Sequence, residues 1–404
     1  MNSLRLSLAA LLLGFAAHNP ALARLPAAAV QIGMSDTEQA IPAMPSLLPM
    51  RERAEVIDAV LAERLETVVP AIMREQGIAM WVLMAREYFE EPVVATMLDA
   101  QSMHARRRTI LIFHDPGEGQ AIERLTVSRY GLGGLFEPAW DPEKQPDQWQ
   151  AVADIIARRD PATIAINTSD LAAFGDGMTL SQYRLMTAAL SPEYRERIVS
   201  GETLATRWLE TRTPAEIALY PGIVRIAHAL IAQAFSRAVI TPGATTAADV
   251  EWWYRETLAT QGLTPWFHPS VGIQREGADG MLRGDTVIEP GDLLWTDFGI
   301  TYLRLNTDTQ HLAYVLKPGE TREIEVRISN HSPIRRTFKI TPRDHRGAKV
   351  LSGPQSTTLA SRADGAVKVK IQAPKEKGVY VITADVDSKD MHFRDWVEAI
   401  IEVK

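Results

Sequence analysis

Apolar residues recur at three- and four-residue steps over residues 51–76, which predicts a long amphipathic helix that ends at Gly77. Compact apolar runs and further helical stretches then alternate along the chain. The predicted strands are 78–84, 109–113 and 162–166, and the predicted helices are 149–158 and 180–190. This alternation predicts an N-terminal α/β domain over residues 51–212.

Beyond residue 320 the pattern changes to short segments in which apolar and polar residues alternate, separated by Pro, Gly and Asn. These segments are 324–328, 337–340, 367–371, 379–382 and 397–403. Period-two alternation predicts an antiparallel β-sandwich over residues 320–404. It looks like an immunoglobulin-like module of exported bacterial proteins, a class that implies no activity by itself.

The first 23 residues have the three parts of a signal peptide. Arg5 precedes an apolar stretch at 6–17, and Ala21-Leu22-Ala23 supplies a cleavage site. We therefore expect a periplasmic or secreted protein without a transmembrane segment after signal removal. Residues 24–50, rich in Ala, Pro and Met, predict an extended arm.

Composition limits the chemistry of any site. The chain has no Cys, so disulfides and thiolate ligands are excluded and a metal site would need His, Asp or Glu. Its net charge of -7 and pI near 5.8 argue against a nucleic-acid partner.

A capping box at Thr213-Pro214-Ala215-Glu216 predicts the start of another helix and of a domain over residues 213–319. Pro221-Gly222 inside the following apolar stripe should kink or break that helix. A second helix is expected after Pro242-Gly243.

Two short apolar strands within residues 293–312 each carry one carboxylate, Asp297 and Asp308. If the two side chains lay directly opposite each other in a hairpin, their Cβ atoms would be about 5 Å apart, close enough to share a cation. The alternative is a surface hairpin with two solvated aspartates.

The run from Asp285 to Gly299, with its Glu289-Pro290-Gly291-Asp292 turn and Asp308 eleven residues after Asp297, resembles the metal hairpin of the pita-bread metallopeptidases. That family includes Xaa-Pro aminopeptidase, prolidase, methionine aminopeptidase and the non-peptidase creatinase. The resemblance implies that Asp297 and Asp308 bind divalent metal, that residues 51–212 form a creatinase-like domain, and that residues 213–319 are part of a pita-bread domain. By resemblance the metal is Mn, Co or Zn, whereas carboxylate oxygens alone favour Mn or Mg.

In related peptidases a histidine shortly before the hairpin contacts the substrate, and His268 is the candidate here. Its spacing to Asp297 is longer than the family pattern, so a histidine fixed by packing beside Trp266 and Phe267 is the alternative.

The resemblance ends after Pro318. In the family, a second half of the domain supplies a His and two Glu that complete a five-ligand centre. Here His331, His345 and His392 have no Glu at a spacing that the family uses. The chain is thus predicted to be an impaired metallo-aminopeptidase acting on peptides or a non-catalytic binding protein on the same scaffold. In both cases it is either a natural fusion or an incomplete product.

Half of a pseudo-symmetric sheet would leave an edge and a face uncovered. This favours homo-oligomers unless the sandwich docks there.

Overall fold

The computed structural model describes residues 44–88, 90–117, 119–315, 321–330, 332–344, 349–372, 374–375, 378–388 and 394–403. The predicted signal peptide and most of the predicted arm lie outside these residues, as do His331, His345 and His392. Two compact units can be distinguished. The first contains Leu48–Leu219, and the second begins at Tyr220.

The secondary structure of the described residues is mixed α/β, as predicted. The helices are α1 (Met50–Gln76), α2 (Pro92–Thr96), α3 (Gln148–Arg159), α4 (Leu180–Ala189), α5 (Pro192–Glu196), α6 (Glu202–Glu210), α7 (Pro214–Ala234) and α8 (Ala247–Thr260). The strands of the first unit are β1 (Met80–Ala85), β2 (Thr109–His114), β3 (Glu123–Val127), β4 (Glu137–Pro138), β5 (Ile164–Ile166) and β6 (Ile198–Ser200). The strands of the second unit are β7 (Thr264–Pro265), β8 (Ser270–Gln274), β9 (Leu293–Phe298), β10 (Ile300–Tyr302), β11 (Leu305–Asn306), β12 (Thr309–Tyr314), β13 (Thr321–Ser329), β14 (Arg336–Asp344), β15 (Lys349–Val350), β16 (Gln355–Leu359), β17 (Asp364–Gln372), β18 (Gly378–Ser388) and β19 (Arg394–Val403).

A six-stranded sheet forms the middle of the first unit, in the order β4-β3-β2-β1-β5-β6. Side chains of β1 alternate between two cores. Trp81 and Leu83 pack with α1 and α6, whereas Met80 and Val82 pack with α3. Because both faces are covered, β1 is apolar throughout instead of alternating with polar residues.

Helix α1 ends where the sequence predicts. Gly77 adopts a left-handed conformation with φ of 64°, and its N–H is directed at the last carbonyls of the helix. Glycine is favoured there because a Cβ would be strained at that φ.

Helix α7 begins at the predicted capping box. The N–H of Thr213 donates to the Glu216 carboxylate at 2.7 Å, and the N–H of Glu216 donates to the Thr213 hydroxyl at 3.3 Å. Of the predicted kink or break at Pro221, the break is wrong, since the helix continues from Pro214 to Ala234, and the kink stays a prediction. In length and composition α7 could cross a membrane, and 44% of its most apolar stretch is buried in the protein.

The second unit contains a seven-stranded sheet in the order β16-β14-β18-β19-β12-β9-β8 and a three-stranded sheet in the order β13-β17-β15. All five alternating segments predicted after residue 320 are strands. Phe338 and Ile340 of the first sheet share a core with Val326, Val369 and Ile371 of the second. The alternation thus positions one face of each sheet in a common core.

One end of the β12 edge is occupied. Its Tyr314 pairs in parallel with Ile401 of β19, so the β8-β9-β12 sheet continues into the C-terminal strands. This single pair occupies part of the edge for which the sequence predicted self-association.

Candidate metal site

The two aspartates are not cross-strand partners. β9 and β12 pair antiparallel with Gln310 opposite Asp297, and Ser270 of β8 lies opposite Asp297 on its other side. Asp308 lies two residues before Gln310 and is therefore a diagonal neighbour of Asp297. The carboxylates are therefore not directly opposed. The β10–β11 hairpin continues the β9–β12 pairing in the same register, with Thr301 opposite Asn306, and this register places Gln310 opposite Asp297.

The carboxyl groups nevertheless meet. Burial raises the pKa of Asp297, and the charge of Asp308 and a hydrogen bond with it raise this pKa further, while a hydrogen bond with Gln310 lowers it. Asp297 Oδ1 is buried and has no hydrogen-bond partner among the described residues. Two neighbouring anions, one with a partnerless oxygen, form an arrangement that a cation would stabilise.

The turn before β9 is held by a carboxylate with a structural role. Asp292 is almost fully buried and pairs with Arg275 through two contacts of 2.8 Å. It also accepts the N–H of Glu289 at 2.7 Å, and Gly291 reaches a φ of 103° that favours glycine. The Pro-Gly-Asp motif thus fixes the direction in which β9 begins.

Gly299 lies at a close approach of three segments. A Cβ at this position would collide with the Thr307 carbonyl and with the rings of Trp266 and Phe267. The Trp266 indole N–H donates to the Thr307 carbonyl at 2.7 Å, and the Thr309 hydroxyl donates to the Phe298 carbonyl at 2.7 Å. The Asp-Phe-Gly motif therefore requires glycine so that the chain leaves β9 without moving Asp297.

The face of β9 opposite the aspartates is packed against α8. Phe298 stacks on Tyr254 with ring centroids 4.2 Å apart, and both side chains are fully buried. This packing fixes the strand and so restricts where the Asp297 carboxylate can lie.

His268 contacts α8. Its Nδ1 lies 3.2 Å from Arg255 Nη1, its Nε2 lies 3.7 Å from Glu251, and its ring is 5.7 Å from that of Trp252. Among the described residues no hydrogen bond or ion pair joins His268 to either aspartate. Its predicted contact with substrate stays a prediction.

The sequence analysis did not identify a contact between two further histidines. His311 of β12 lies opposite Thr296, on the packed face, and its ring is 4.6 Å from that of His228 on α7. Burial and His228 lower the pKa of His311 to about 4. The period-two alternation of β12 predicts that His311 and Gln310 lie on opposite faces. No local feature of the sequence indicates that His228, 83 residues earlier, is its partner.

The open face of this sheet is only partly covered. Leu312 is 56% exposed, and Arg283 lies over the ring of Trp295 at 5.3 Å. Within the part of the chain that the structure describes, no group of three or more His, Cys, Asp or Glu could hold a metal. The residues therefore fit a divalent cation bound through carboxylate oxygens and water, but they do not form a complete dinuclear centre.

A comparison with models of protein families shows which known proteins this part of the chain resembles. Residues 222–329 match metallopeptidase family M24. This segment of the chain is therefore similar to part of the M24 family. The segment contains His268, Asp297 and Asp308, and it covers well under half of the chain. The predicted relationship to the pita-bread metallopeptidases is confirmed, whereas the loss of the second M24 half and the immunoglobulin-like identity of the sandwich stay predictions.

Solved structures resemble this chain only distantly. The Xaa-Pro dipeptidase from Bacillus anthracis is 15% identical with a TM-score of 0.43, over 85% of this chain and 95% of that one. The X-Pro aminopeptidase from Thermotoga maritima MSB8 is 13% identical with a TM-score of 0.44, over 83% and 95% of the two chains. Salmonella alpha-2-macroglobulin reacted with methylamine is 15% identical with a TM-score of 0.21, over 31% of this chain and 9% of that one. These scores are too low to decide the fold or the activity, and a search of curated proteins found no significant match.

Proposed function

We propose that the protein is an exported M24-type aminopeptidase relative that binds peptide N-termini beside a divalent cation held by Asp297 and Asp308, with a metal site that is incomplete for efficient hydrolysis. The observation that carries the proposal is the buried, partnerless Asp297 Oδ1 next to the Asp308 carboxyl. An anionic oxygen without a donor is costly unless a cation balances it.

Each residue has a separate role in this proposal. Asp297 and Asp308 hold the cation, and Gln310 orients the Asp297 carboxyl through its hydrogen bond. His268, which is exposed, contacts the substrate. A divalent cation bound here would polarise a peptide carbonyl and lower the pKa of a bound water.

Hydrolysis is expected to be slow because the proposed site has two protein ligands. The His and two Glu that the family resemblance implies for the second half have no counterpart that the sequence identifies. With fewer ligands the cation is held less tightly and positioned less well for chemistry.

A non-catalytic binding protein is the second candidate. It is favoured by the absence, within the described ranges, of any cluster of three or more metal-binding side chains. In that case the open face or the C-terminal strands would bind a peptide ligand without cleaving it.

The remaining assignments belong to the same proposal. Residues 1–23 are removed on export to the periplasm or the medium, residues 24–50 form an arm, residues 51–212 a creatinase-like domain, residues 213–319 a partial pita-bread domain and residues 320–404 an immunoglobulin-like sandwich. The partner is a peptide, not a nucleic acid, and self-association is left open. Intact-mass analysis of exported protein tests the processing step, which is excluded if Met1 is retained.

The deciding experiment measures metal content of the purified mature protein together with release of the N-terminal residue from Xaa-Pro peptides. The proposal predicts substoichiometric metal and slow release that Mn enhances and Asp297→Asn abolishes. Peptide binding without any release, in parent and variant alike, would favour the non-catalytic candidate. Metal-independent release that survives Asp297→Asn would contradict the proposal.

A further inference from the structure

A cleft of about 330 Å³ opens on the first unit between α1 and the chain that leads into β3. It is a site that the M24 segment does not include. Its lining residues are Leu65, Glu66, Pro70, Arg74, Gln120, Ala121, Ile122 and Arg124.

The sequence builds each wall for a physical reason. Glu66, Pro70 and Arg74 follow one another at four-residue steps and so share one face of α1. Arg124 pairs with Phe113 across β3 and β2, so the two side chains point to the same side of the sheet. Phe113 packs in the same core as α1, which places Arg124 on the α1 side.

One of the two arginines is already engaged. Arg74 Nε lies 3.0 Å from the Asp115 carboxylate, and its Nη2 donates to the Gln120 carbonyl at 2.6 Å. These bonds fix the Gln120 end of the cleft. In contrast, neither Glu66 nor Arg124 has an ion-pair partner among the described residues, so the cleft contains a carboxylate and a guanidinium that are both available to a ligand.

We propose that this cleft binds a zwitterionic amino acid with an apolar side chain. The α-ammonium lies at the Glu66 carboxylate, the α-carboxylate at Arg124, and the side chain against Pro70 and Ala121, the apolar lining residues that reach the surface. Guanidinium groups bind carboxylates through two parallel hydrogen bonds, which gives the Arg124 end its specificity. The volume is at the lower limit of small-molecule sites and suits one residue.

L-Leucine is the probe, titrated calorimetrically into the metal-free full-length mature protein. The expected result is saturable binding with a dissociation constant of about 1 mM or lower. Leucine amide, which lacks the carboxylate, and N-acetyl-leucine, which lacks the ammonium, should each bind at least about tenfold more weakly. Absence of heat with leucine, or equal binding of either analogue, would overturn the proposal.

Variants locate the site. Glu66→Gln and Arg124→Gln should each weaken leucine binding about tenfold or more, while Glu55→Gln and Arg158→Gln, which change exposed charges elsewhere on the same unit, should leave it unchanged. Equal loss in the control variants, or no loss in the first pair, would contradict the assignment.

Pro70→Ala separates binding from stability. Alanine suits a helix interior better than proline, so the melting temperature should rise, while the smaller side chain removes apolar lining and leucine should bind several-fold more weakly. A Pro70→Ala variant that binds leucine as tightly as the parent would contradict the position given to the leucine side chain. Because these measurements need neither metal nor peptidase activity, their outcome is independent of the proposed function.

Discussion

The carboxyl groups of Asp297 and Asp308 meet on one face of the sheet although the two residues are diagonal and not opposed. The turn at the tip of β10–β11 sets this geometry, because β10–β11 and β9–β12 share one continuous register in which Gln310, two residues after Asp308, lies opposite Asp297. Two carboxyls brought together in this way are destabilising unless a proton or a cation lies between them.

Removing one charge should therefore stabilise the protein when metal is absent. With a chelator at pH 7, Asp308→Asn is expected to increase the free energy of unfolding by up to about 1 kcal/mol, since it ends the repulsion of Asp297. Urea denaturation measures the change, and Asp364→Asn, at an exposed aspartate of β17, is the matched control. A less stable Asp308→Asn variant would show that the carboxylate makes a favourable contact instead.

The half-buried His311 predicts loss of stability in mild acid. The folded protein holds the pKa of His311 at about 4, below its ordinary value, so the unfolded chain takes up the proton first. The contribution of neutral His311 to the free energy of unfolding is fully present above pH 6.5. It is lost as the pH falls from about 6.5 to 4, by about 3 kcal/mol in total.

Denaturation midpoints between pH 7 and 4 test this for the parent and His311→Gln. Other groups affect both proteins alike, so the curve of His311→Gln should be flatter. Parallel curves would mean that His311 is charged in the folded state.

The β10–β11 turn is strained by its residue types. Leu303 and Arg304 have φ values of 54° and 63° and join the two strands as a two-residue turn. Asn-Gly is the sequence that this turn prefers. The double replacement Leu303→Asn with Arg304→Gly should raise the free energy of unfolding by roughly 1–2 kcal/mol. Arg304→Ala keeps a side chain at positive φ and should give no such gain. If Arg304→Ala stabilised the protein equally, relief of strain at positive φ would not be the cause.

Local features of the sequence were sufficient for much of the fold. α1 has a regular apolar stripe with Gly77 at its end, and β1 is apolar on both faces, so each could be predicted without knowledge of its neighbours. β3 was missed because its Glu123 and Arg124 interrupt the apolar pattern, although Glu123 has charged partners in space. Glu123 pairs with Arg159 of α3.

The candidate site was predictable in part. Asp297 and Asp308 stand out because charged residues are unusual in short apolar strands, but their register depends on a turn whose strained residues give no sequence signal. The His228–His311 contact joins positions far apart in the chain and could not be read from either. Continuation of the sheet from β12 into β19 likewise required the tertiary structure.

The central claim is that Asp297 and Asp308 together hold a divalent cation. Titration calorimetry with Mn on the parent, Asp297→Asn and His268→Ala tests it directly. We expect weak binding by the parent, with a dissociation constant on the order of 0.1–1 mM, because two carboxylates leave most of the coordination to water. Asp297→Asn should abolish binding, whereas His268→Ala, which lies beside α8, should bind as the parent does. Binding that survives Asp297→Asn would contradict the account, and tight binding by the parent would mean that further ligands complete the site.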